Sequence, residues 1–120
     1  VDPMFTFLII FLVTGFVSMS AALSAGAINK RPAEEKVGKL AERNTQVAII
    51  MAGNLAALTL IGAMAFGMLN LEWWIPLVCM FVSFPVVHLL VMQRLLGDVK
   101  NLILMTPLVI GSIATLYYYW

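Results

Sequence analysis

Residues 47–69 read VAIIMAGNLAALTLIGAMAFGML, with no charged side chain and with Asn54 and Thr59 as the polar groups among them. A helix of this length spans about 34 Å, enough to cross about 30 Å of hydrocarbon. The chain changes character on both sides of this stretch. N-terminal to it, residues 29–46 concentrate Lys30, Arg31, Glu34, Glu35, Lys36, Lys39, Glu42 and Arg43, and residues 4–28 form another apolar stretch. C-terminal to it, Asn70, Leu71 and Glu72 lead into a third apolar stretch at 74–93, a polar connection at 94–101 and a fourth at 102–120.

This pattern predicts an all-α integral membrane protein, a four-transmembrane-helix antiparallel bundle forming one transmembrane domain over residues 1–120. The composition agrees. Hydrophobic residues make up 62% of the 120 positions and charged residues 11%, with a mean hydropathy of +1.01. A soluble domain carries about a quarter charged residues, so a water-solvated monomer is excluded. The net charge of +1 gives no basis for nucleic-acid binding, which needs a concentrated basic face. With one cysteine, Cys79, no intramolecular disulfide can form.

Residues 4–28 lack the basic leader of a signal peptide and are followed by the positive charges instead, so they read as a retained span, with a cleaved signal as the alternative. In the charged connection, Pro32 suits the first turn of a short helix, and Glu35 with Lys39 is a favourable i, i+4 pair. All seven Lys and Arg fall at Lys30, Arg31, Lys36, Lys39, Arg43, Arg94 and Lys100. The positive-inside rule therefore assigns connections 29–46 and 94–101 to the cytoplasm and both termini to the outside, in the cytoplasmic (inner) membrane of a bacterium or archaeon. Trp73, Trp74, Tyr117, Tyr118, Tyr119 and Trp120 then share the outer interface, where amphipathic rings settle.

Lipid offers little hydrophobic gain for joining helices, so close contact between small residues has to serve. Thr14, Ser18, Ala22 and Gly26 form such a stripe on the first span; Ala48, Ala52 and Ala56, then Thr59, Ala63 and Gly67, do so on the second. These fit packing within the bundle or a subunit interface. The larger side chains, Phe5, Phe7, Phe11 and Leu12 on the first span and Phe81, Phe84, Leu89 and Val91 on the third, are expected to face outward.

No Asp, Glu, Lys or Arg falls inside the spans as bounded here. Ion-coupled carriers use such residues. Counting rises per residue places Asn54, His88, Ser24 and Thr106 at similar depth, a polar intramembrane layer in the cytoplasmic third. Pro85, one turn before His88, removes a backbone hydrogen bond and is expected to kink the third span. The alternative for Asn54 and His88 is interhelical hydrogen bonding without a pocket. One histidine cannot complete a bis-histidine haem or three-ligand zinc site, so neither cofactor nor metal is expected, and no catalytic residue is assigned.

The plan of four spans with a long charged first connection resembles that of the membrane-associated eicosanoid and glutathione metabolism (MAPEG) family. That family carries an Arg-Ala-His-x-Asn-x-x-Glu type motif at the start of its second span. Glu42-Arg43-Asn44-Thr45-Gln46 stands at the corresponding place without that spacing or carboxylate, so the resemblance implies topology and transfers no catalytic residue. Three functions fit the sequence: a non-catalytic or accessory subunit of a membrane complex, an oligomeric channel or facilitator for transport with Asn54 and His88 on its path, and a MAPEG-like membrane enzyme. The partners implied are the lipid bilayer and either further copies of the chain or other membrane subunits.

Overall fold

A computed structural model describes residues 3–30 and 42–120. Pro32, Glu35 and Lys39, to which the sequence assigned roles or a side, lie outside the described residues, as does most of the basic connection. The described residues fold into four long helices: α1 (Pro3–Asn29), α2 (Arg43–Asn70), α3 (Trp74–Leu95) and α4 (Gly97–Tyr119). Each is long and apolar enough to cross a membrane, so the chain is an all-helical membrane protein.

The turns are economical. The Leu71 N–H donates to Gly67 O to close α2, and the Ile75 N–H donates to Glu72 O to open α3. Pro76 sits buried in the first turn of α3, where its missing N–H leaves no helical bond unmade. Between α3 and α4 the chain reverses at Gly97, whose φ of 74° is the left-handed conformation that suits glycine after a helix end. The irregular connection is therefore shorter than residues 94–101. Asp98 and Asn101 belong to the first turns of α4, and both are buried.

α1 is the central helix, packing on α2 and α4 along most of its length and on α3 more locally. Half of its most apolar window is buried, against 17% of that of α3. One seam of α1 runs Phe11, Thr14, Ser18, Ala21, Ala25 and Ile28, alternating steps of three and four, and all six are buried. It meets α2 at two glycines. A Cβ on Gly67 would lie 2.7 Å from the Phe11 ring, and one on Gly53 would lie 2.8 Å from the Ala25 Cβ. Backbones this close gain the van der Waals contact that membrane helices depend on.

The same closeness overturns the outward placement of two phenylalanines. Phe11 is fully buried and Phe84 is buried too, because Gly67 and Gly15 leave room for their rings. The two rings pack with centroids 5.6 Å apart, and Phe7 meets Phe66 edge-on at 5.8 Å. Phe5, Leu12, Phe81, Leu89 and Val91 do lie exposed.

α3 departs from regular α geometry twice, with π turns at Cys79–Ser83 and His88–Met92. In the first, the Phe84 N–H reaches back five residues to Cys79 O, just before Pro85. The helix meets the proline, which cannot donate to Phe81 O, with a wide turn in the preceding residues.

Candidate intramembrane polar site

Most hydroxyls in the spans are satisfied on their own helix. Thr14 donates to Ile10 O at 2.7 Å, Ser18 to Thr14 O at 2.6 Å, Thr59 to Leu55 O at 2.8 Å and Ser112 to Leu108 O at 2.8 Å. Such back-bonding hides a hydroxyl from other partners.

Ser20, Ser24, His88 and Asn101 behave differently, because their bonds cross between helices. Ser20 and Ser24 stand four apart on α1 and so share a face. From α4, the Asn101 Nδ2 donates to Ser20 Oγ at 2.8 Å and to Ser24 Oγ at 2.7 Å. From α3, His88 Nδ1 lies 2.8 Å from Ser20 Oγ. A carboxamide nitrogen can only donate, so Ser20 Oγ accepts from Asn101, while the direction of its bond with His88 Nδ1 is set by the imidazole tautomer. All four side chains are buried, and Asp98, also buried, lies within electrostatic reach of His88.

The cluster is a three-helix clamp. The carboxamide of Asn101 has its Oδ1 buried without a hydrogen-bond partner among the described residues, so the network is held mainly through Nδ2. A serine beside a histidine suggests nucleophilic chemistry, but Ser20 is 0% exposed and already accepts from Asn101, which denies a substrate access to Oγ. Among the described residues, no group of three or more His, Cys, Asp or Glu is placed to hold a metal ion.

Of the residues expected to form a polar layer, Ser24 and His88 come together here. Asn54 instead lies exposed on α2, and Thr106 is half-buried with its hydroxyl donating to Leu102 O at 2.7 Å. In the α1 stripe, Thr14 and Ser18 are buried, whereas Ala22 and Gly26 are half-buried beside a cavity between α1 and α3 that Pro85 and His88 also line. Sequence reasoning missed Ser20 as a partner and Asn101 altogether. Reading Gly97 as a helix-terminating glycine would have started α4 four residues before Asn101 and brought it into the bundle.

Compared with protein-family models, curated proteins and solved structures, the chain matches none of them.

Proposed function

We propose that the chain is a non-catalytic subunit of a membrane assembly, built as an antiparallel bundle, that associates with a second copy through the outer face of α2. The observation that carries this reading is Asn54. It lies exposed near the middle of a 28-residue apolar helix, on the side opposite the buried seam. Val47, Met51, Asn54, Leu58, Ile61 and Met68 follow one another at steps of three and four or seven, and the apolar five are all large and exposed. A carboxamide facing lipid tails lacks hydrogen-bond partners and is costly there. Because it carries donors and an acceptor, two copies related by a two-fold axis satisfy each other.

Several contacts support the antiparallel arrangement. Phe11 meets Gly67 while Ala25 meets Gly53, so numbering runs in opposite directions along α1 and α2. Gly15 meets Phe84 while Ser20 meets His88, so α1 and α3 run the same way. Together with the seven cations in two connections, this favours cytoplasmic connections at 29–46 and 94–101 and outer termini. The channel reading draws less support, because exposed Asn54 and buried His88 share no face, and the MAPEG-like enzyme reading rests on topology alone.

Energy transfer between two labelled populations in liposomes, measured across protein-to-lipid ratios, tests the proposal. Wild-type chains should associate, and Asn54→Val should weaken association by roughly 3- to 30-fold, the equivalent of about 0.6–2 kcal/mol. Equal association of the variant, or dilution to monomers at every ratio, overturns it.

A further inference from the structure

Next to the polar clamp, α1 and α3 part to leave a cavity of about 440 Å³. Ala22 and Gly26 of α1 and Leu89 of α3 form apolar walls, and His88, Gln93 and Lys30 are the polar residues that line it. The small residues here do not serve close packing. A Cβ built on Gly26 would meet nothing within 4 Å, in contrast to Gly67 and Gly53, where the same atom would collide. Space left open at the flank of a membrane bundle is filled by an amphiphile or by another protein.

The polar groups favour one kind of occupant. His88 stands at the cavity wall but is only 1% exposed, with its Nδ1 committed to Ser20. The second π turn begins at His88, and its closing bond runs from the Gln93 N–H to His88 O. That wide turn lets residues five apart share one side of α3, and both line the cavity. Lys30, just past the end of α1, adds a cation that is exposed to solvent. No carboxylate lines the cavity among the described residues. A carboxamide and an exposed ammonium therefore stand at one end of the cavity, beside an apolar wall.

We propose that this cavity is a site for an anionic phospholipid. Lys30 and Gln93 hold the phosphate, and an acyl chain lies along Ala22, Gly26 and Leu89. The charge is complementary, since anionic headgroups collect beside basic segments at a membrane surface. This assignment is independent of the association through α2.

Native mass spectrometry of the full chain tests it, with short-chain phosphatidylglycerol, phosphatidylcholine of the same chain length and inorganic phosphate titrated in parallel. Phosphatidylglycerol should be retained in preference to phosphatidylcholine, and Lys30→Gln should weaken that retention by about five-fold. Gly26→Leu should abolish it, while Gly111→Leu, which also enters open space on α4, should leave it intact. Circular dichroism establishes that both leucine variants are folded. Equal retention of the two lipids, or retention by folded Gly26→Leu, overturns the proposal. So does displacement of the lipid by phosphate alone, which would indicate a free-anion site. A Gly26→Leu chain that changes oligomeric state without changing lipid retention would show that a partner helix fills the cavity instead.

Discussion

Asn101 and Asn54 are the same residue type in opposite settings. The first is fully buried with its amide nitrogen on two serine hydroxyls; the second is exposed on the outer face of α2. Replacing a buried bridging group removes bonds that lipid cannot replace, so Asn101→Ala should destabilise the fold by about 1–2 kcal/mol. Thr106→Val should cost less than about 0.5 kcal/mol, because that hydroxyl bonds within its own helix. Reversible unfolding in mixed micelles measures both. Equal losses would mean that the clamp has no special weight.

Among the helices, the glycines separate contact from space. Gly67 has the Phe11 ring and the Pro76 Cγ within 2.9 Å of where a Cβ would stand. Gly67→Ala should therefore force α1 and α2 apart and cost about 1–3 kcal/mol. On the same helix, Gly62 has only the Leu116 Cδ1 at 3.9 Å. Gly62→Ala should be neutral or stabilising by up to about 1 kcal/mol, since alanine gains helix propensity without a clash. Thermal unfolding of the two variants checks the contrast, and a neutral Gly67→Ala would sink the close-approach account of the α1–α2 seam. α3 illustrates a different accommodation, in which Pro85 and His88 are served by wide turns and α-helical stretches continue between and beyond them.

At the scale of the molecule, α1 is the post around which the other helices stand, so the outer faces of α2 and α3 are left to lipid or to partners. The proposed topology places Glu72 and Lys100 on opposite sides of the membrane. With Cys79 replaced by serine, single cysteines at Glu72 and Lys100, both exposed, should react with a membrane-impermeant maleimide from opposite sides of sealed vesicles. Labelling of both from one side would reject the bundle as drawn.

Residue types and their order were enough for the class of solvent and the number of helices. Twenty-three uncharged positions in a row, and cations confined to the connections, constrain a chain in lipid whatever its helices touch. The partners of each side chain were another matter. Phe11 and Phe84 looked like lipid-facing bulk until glycines on neighbouring helices opened room for them. Depth along the chain grouped Asn54 with His88, but rotation about the helix axis decides which way a side chain faces, and only packing sets that angle. Asn101 joined Ser20, Ser24 and His88 because α4 begins at Gly97 and turns that residue inward. Hydrophobicity is read along the sequence, whereas a hydrogen bond between helices depends on three rotations and three positions that only the folded bundle brings together.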